Sequence, residues 1–210
     1  MRKHGSYRSP ALWPALVTTA ALAMAAPVSA QQRPLVTQDA DVIGAGQMLV
    51  EVGFDYGSDV IYPASGLRGN LARVPLIGLS FGLGSIAELQ ITGGPYDRLA
   101  ITSRAPAPLS GLLEVPADAS STSDVDDVVI GTKIRLVREA GSRPAVGVLV
   151  ATRLPNAGNE SGLGLDTTDF HASLLMAKTT GSTRFAANLG LGILADPTSG
   201  HQQNDVVTYG

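Results

Sequence analysis

Gln47-Met48-Leu49-Val50-Glu51-Val52-Gly53-Phe54-Asp55-Tyr56 alternates apolar and polar residues with a period of two. Met48, Val50, Val52, Phe54 and Tyr56 fall on one side, and Gln47, Glu51, Gly53 and Asp55 on the other, with Leu49 the exception. Successive side chains of a strand point to opposite faces, so this pattern makes one oily face and one wet face. A helix would set Glu51 and Asp55 beside Met48 and Val52 and leave no apolar stripe. The stretch reads as a strand, and its recurrence decides the fold.

The same alternation returns down the chain. Leu71–Phe81 sets Ile77, Leu79 and Phe81 against Gly78, Ser80 and Gly82, less cleanly because Pro75 removes a ladder donor. Ile86–Thr92 sets Ala87, Leu89 and Ile91 against Glu88, Gln90 and Thr92. Asp126–Val137 sets Val128, Ile130, Ile134 and Leu136 against Asp127, Gly131, Lys133 and Arg135. Val146–Leu154, Asp169–Ala177 and Thr183–Leu194 follow, with Arg153, Asp169, His171 and Arg184 on their polar faces. A further strand begins at Val206 and reaches Gly210, so seven to eight strands are expected in one domain.

The connections alternate in length. Residues 57–70, 95–125, 155–168 and 195–205 read as long loops, separated by short turns at 82–85, 138–143 and 179–182. Every long loop then falls on the same side, the rhythm of an up-and-down barrel with short turns at one rim. Arg104–Ser123, rich in Pro, Ala and Ser, reads as a loop low in structure.

Residues 1–30 have the layout of a secretory signal. Arg2, Lys3, His4 and Arg8 form a basic start, Ala11–Ala26 a mostly apolar stretch, and Val28-Ser29-Ala30 a small-residue cleavage site before Gln31. Pro14 and Thr18-Thr19 interrupt the apolar stretch, which falls short of the roughly 20 residues that span a bilayer. Export by the general secretory route and a mature domain of 31–210 are the expectation. Elsewhere the longest clean apolar run is Ala145–Ala151, so no helix is expected to hold the product in the inner membrane.

The leader holds three of the 15 Lys and Arg and none of the 18 acids, which leaves 12 cations against 18 acids and a net charge of −6. That balance argues against nucleic acid as a partner. The absence of cysteine excludes disulfide scaffolds, thiol catalysis, Cys-based metal sites and a lipid-anchored lipoprotein.

Alternation by itself suits a membrane barrel and a soluble exported β-sandwich or lipocalin-like ligand-binding domain alike. A lipid-embedded barrel turns its apolar face outward and keeps charged and small residues in its lumen. The polar faces here carry Glu51, Glu88, Lys133, Arg135, Arg153 and Arg184 among glycines, which favours an all-β, antiparallel, up-and-down transmembrane barrel. Against it, candidates for aromatic girdles are few: Tyr56, Phe81, Phe170, Phe185 and Tyr209.

Two segments carry a resemblance. Val125-Asp126-Asp127-Val128-Val129-Ile130-Gly131-Thr132-Lys133-Ile134-Arg135-Leu136 and Pro144-Ala145-Val146-Gly147-Val148-Leu149-Val150-Ala151-Thr152-Arg153-Leu154-Pro155 resemble the Gram-negative outer-membrane transporter family labelled for the MetA pathway of phenol degradation. The loop Asn156–Gly162, Glu88-Leu89 and Asn204–Gly210 fit the same pattern, so the resemblance covers roughly residues 45–210. It implies a barrel of more strands, seated in outer-membrane lipid by the barrel assembly machinery and passing small, hydrophobic or aromatic solutes. The chain stops at Gly210 inside a strand pattern, without the closing strand and terminal aromatic of such barrels, so an incomplete barrel is expected.

No motif carries catalysis. His171 has Asp169 two residues before it but no nucleophile motif, and it reads as a structural residue of the polar face. Asp118, Asp124, Asp126 and Asp127 lack the spacing of a calcium loop, and Gly78-Leu79-Ser80-Phe81-Gly82 lacks the following helix of a nucleophile elbow. Neither a metal nor another cofactor is expected, nor enzyme activity. The candidate solute path is Glu51, Glu88, Lys133, Arg135, Arg153, Asp169, His171 and Arg184, a charged interior that selects by size and charge or only keeps itself hydrated.

Overall fold

The computed structural model describes residues 37–199 and 202–210, so the leader and its cleavage site at Ala30 lie outside the described residues. The described chain is all-β, and none of its helices is long and apolar enough to cross a membrane. Ten strands form one antiparallel sheet: β1 (Met48–Tyr62), β2 (Leu67–Gly82), β3 (Ala87–Gly93), β4 (Asp97–Arg104), β5 (Ser121–Asp124), β6 (Val129–Val137), β7 (Ala145–Arg153), β8 (Asp169–Thr180), β9 (Thr183–Ala195) and β10 (Gln203–Tyr209).

The order is β10-β9-β8-β7-β6-β3-β2-β4-β5, with β1 on the other edge of β2. β2 is long enough to pair β3 through Ile77–Gly82 and β4 through Leu67–Arg73. β3 and β4 are thus two halves of one line, broken at residues 94–96. β5 and β6 are halves of the next, broken at 125–128, and they pair β4 and β3 respectively. With each broken line counted once, the sheet is an up-and-down meander of eight lines from β1 to β10. No pairing joins β1 to β10 among the described residues.

Three expectations are corrected here. Residues 57–70 are not a long loop: β1 and β2 run on to Tyr62 and from Leu67, joined by the turn 63–66. The stretch 95–125 is not one loop either, since it contains β4 and β5. Arg104–Ser123 is likewise built, with a 3-10 turn at Ser110–Leu112 and Leu109 buried. The alternation was hard to see there because it changes phase. Gly53 pairs Leu76 but Asp55 pairs Arg73, a bulge beside Pro75, so the inner residues of β2 are odd-numbered before the bulge and even-numbered after it.

The apolar residues of the alternation lie uncovered. Val52, Phe54 and Tyr56 on β1, Phe170 and Leu174 on β8, and Leu189, Leu191 and Ile193 on β9 are all exposed, Phe54 at 78%. The opposite face, called inner here, is where the chain packs. One small apolar cluster joins Ala40, Ala145, Leu175 and Ala177 at the short-turn end. A second joins Leu67, Leu71 and Leu99 to Leu113 and Leu163 of the connections 105–120 and 154–168. Burying each of these leucines contributes about 1.5–3 kcal/mol, which fixes those connections over the other end of the inner face.

Candidate functional site

Residues 37–47 do not alternate, and they form no strand before β1. They cross the inner face near the short turns, from β10 and β9 to β2, as a strap. Thr37 lies against Gly210, the Asn188 amide is placed to exchange hydrogen bonds with the Gln38 backbone, and Ala40 packs on β7 and β8. Two glycines make the approach possible: a Cβ on Gly82 would collide with the Gly44 carbonyl, and one on Gly147 would stand 3.1 Å from the Ala40 carbonyl oxygen.

Charge holds the strap. Arg184 of β9 pairs with Asp39 and, at 2.8 Å, with Asp41, while Arg135 of β6 pairs with Asp41 at 3.2 Å. Lys133 Nζ donates to the Asp39 carbonyl at 3.2 Å, and the Ile43 N–H donates to Glu88 at 2.7 Å. Beneath the strap, Lys133 and Glu88 form an ion pair at 3.0 Å with both side chains 0% exposed. Such a pair is tolerable only when its remaining groups are satisfied. Gln90 Nε2 supplies Glu88 with a further hydrogen bond at 2.7 Å. Burial raises the Asp39 carboxyl pKa, but the Arg184 hydrogen bond, the Asp41 N–H and nearby cations outweigh it and hold the group below its ordinary value. Outside the strap, Glu139 accepts from Lys178 Nζ, the Thr179 N–H and Arg184, each at 2.8 Å.

A second charged cluster occupies the inner face toward the long connections. Arg73 of β2 lies between Asp97 at 3.1 Å and Asp55 at 3.4 Å. Arg153 of β7 lies between Asp127 at 3.1 Å and Asp169. Asp127 also accepts from the Asn156 and Ala157 N–H groups, and Asp124 from the Gly158 N–H, so these acids pin the connection 154–168. Between this connection and the strands lies a cavity of about 240 Å³, lined among others by Tyr62, Arg73, Asp97, Asp126, Arg153 and Leu163. On the outer face, Ile77, Leu79, Ile91 and Val128 line an apolar groove of about 360 Å³ at the breaks in the two interrupted lines. Val125 and Asp126 line both spaces.

The eight residues expected on the polar faces therefore divide. Glu88, Lys133, Arg135 and Arg184 meet at the strap, and Arg153 and Asp169 meet at the cavity. Glu51 lies between the clusters on the inner face, opposite Gly78 and half-buried. His171 is also half-buried on that face, between Ala151 and Gly192, while Asp169 turns to Arg153 and the Ala195 N–H. Among the described residues no three acidic or histidine side chains converge as metal ligands. Reading the sequence missed Asp39, Asp41, Arg73 and Asp97. The first two precede any alternation, and the last two flank breaks in it.

Comparison of the chain with protein-family models, with curated proteins and with solved structures finds no match.

Proposed function

We propose that the chain is an outer-membrane β-barrel channel or transporter that passes small molecules, exported with a cleaved leader and held in lipid by its outer face. The observation that carries this reading is the inverted distribution of side chains. Met48, Val50, Val52, Phe54 and Tyr56 on β1 have counterparts on β6 to β10, up to Tyr209 at 84% exposure, while the opposite face holds fully buried charge. Soluble monomers rarely expose contiguous apolar patches beyond a few hundred Å², whereas a barrel in lipid requires them. A soluble sandwich would cover that face with a second sheet, and all ten strands belong to one.

The two charged clusters give the path its character. The cavity forms an outward vestibule beneath the long connections, and the strap narrows the other end, so solute flow depends on how far the strap moves. The resemblance to phenol-pathway transporters adds small hydrophobic or aromatic solutes as the class to try first. Expression of the whole chain in a Gram-negative host tests this. The expected product fractionates with the outer membrane, migrates differently on gels before and after boiling, and gives conductance steps in planar bilayers. A species that is soluble in the periplasm and folds without detergent would sink the proposal.

A further inference from the structure

We infer that the cavity under the 154–168 connection is a recognition site for an organic cation, a protonated primary amine bearing a compact apolar or aromatic body. The inference deepens the channel reading and rests on it in taking this cavity as the outward mouth of the path.

Charge arithmetic comes first. Arg73 is already shared by Asp55 and Asp97, and Arg153 by Asp127 and Asp169. Asp126 lines the same cavity and takes part in no ion pair among the described residues; its Oδ1 accepts only the N–H of its neighbour Asp127. Three carboxylates, Asp97, Asp126 and Asp127, thus line the space with two guanidinium groups, and Asp55 and Asp169 share those same arginines from outside the lining, so the balance around the cavity is negative. Low-dielectric walls focus such a field, so the cavity repels anions and concentrates cations.

The second observation is independent of that count. Asp97 lines the cavity, is only 4% exposed, and its Oδ1 has no hydrogen-bond partner. A buried carboxylate oxygen without a donor is costly, by about 1–3 kcal/mol or more for a charged group. Binding that shifts the wall enough to bring a donor to this oxygen would remove that cost. An ammonium carries three N–H donors and no acceptor, which suits Asp97 and Asp126 together. A calcium ion would need six to eight oxygens, and no group of three candidate ligands converges among the described residues. The remaining walls choose the rest of the ligand. Leu163, Leu165, Val125 and Ala157 are apolar, and Tyr62 adds an aromatic side chain to the lining.

The test uses the full-length chain refolded in nonionic detergent and three probes of nearly equal shape: phenethylammonium, 2-phenylethanol and phenylacetate. Calorimetric titration, corrected with protein-free micelles, is expected to give phenethylammonium at least tenfold tighter binding than either of the others, weakening as salt is raised. Asp126→Asn should weaken it at least tenfold, and Asp97→Asn similarly, while Asp196→Asn, away from the cavity, stays within twofold. Equal binding of the three probes, or an Asp126→Asn protein that folds and binds as well as the parent, overturns the inference. If a variant does not fold, the comparison of probes on the parent chain still decides. Conductance is measured separately: a conducting protein with no amine preference sinks this inference alone, and amine binding without conductance sinks the channel reading alone.

Discussion

Lys133 and Glu88 form a fully buried ion pair on the inner face. Each neutralises the other within a small group that includes Gln90 and the strap backbone. Removing one partner leaves a charge in a dry place, so Glu88→Gln is expected to cost about 3–5 kcal/mol. Urea unfolding in detergent measures it, and Glu88→Gln with Lys133→Met should recover at least half of the loss. No recovery in the double variant would mean that shape, and not charge, is what the pair supplies. Glu139 makes a second prediction at this scale. The Lys178 ammonium, the Thr179 N–H and Arg184 together draw its carboxyl pKa down from 4.5 to about 2. A lowered acid pKa stabilises the folded form above its ordinary value, and that contribution is lost as pH falls toward about 2. Hydrogen-exchange protection of the Thr179 amide should therefore decline between pH 4.5 and pH 2. In Glu139→Gln it should be weak and flat over the same range; a parallel decline in that variant would assign the effect to another group.

Under the proposed channel reading, the element that decides access is the strap. It touches β2, β3, β6, β7, β8 and β9 near the short turns, and two glycines let it lie close to the sheet. Gly82→Ala places a methyl group where the Gly44 carbonyl now sits, and backbone cannot yield as a flexible side chain can. The expected result is a folded sheet with a displaced strap, read as faster proteolysis within residues 37–46 and a several-fold rise in single-channel conductance. Unchanged conductance together with faster cleavage would show that the strap is not what narrows the path. The interrupted lines β3–β4 and β5–β6 are the other element of interest. Their breaks lie side by side, bridged by the Asp126 N–H donating to the Gly94 carbonyl at 2.8 Å, which puts Val125 and Asp126 between the inner cavity and the outer groove.

At the scale of the molecule, the sheet is sided in the sense opposite to a water-soluble protein. Val150 lies mid-strand on β7, paired with Thr132 and Ala172, and is 56% exposed on the outer face. In water an arginine there would be nearly neutral. In lipid it is expected to cost about 2–4 kcal/mol. Val150→Arg refolded into lipid vesicles and titrated with urea separates the two cases, and a loss below about 1 kcal/mol would argue that lipid does not cover this face.

The sequence by itself determined most of the strands and their two faces, though not β4 and β5, because side-chain alternation is local: Met48 and Val50 face the same way whatever packs beside them. It also put Glu88, Lys133, Arg135, Arg153, Asp169, His171 and Arg184 on the polar side, where the inner face now lies. Only the tertiary structure decided what those charges do. Arg184 meets Asp39 across 145 positions of the chain, and Lys133 meets the Asp39 carbonyl across 94. Contacts of that span leave no periodic trace, since a charged side chain could serve any complementary group brought within reach. The same holds for the bulge beside Pro75, where one residue reverses the alternation within β2. Period reports which way a side chain faces, and the meander's register decides what it faces.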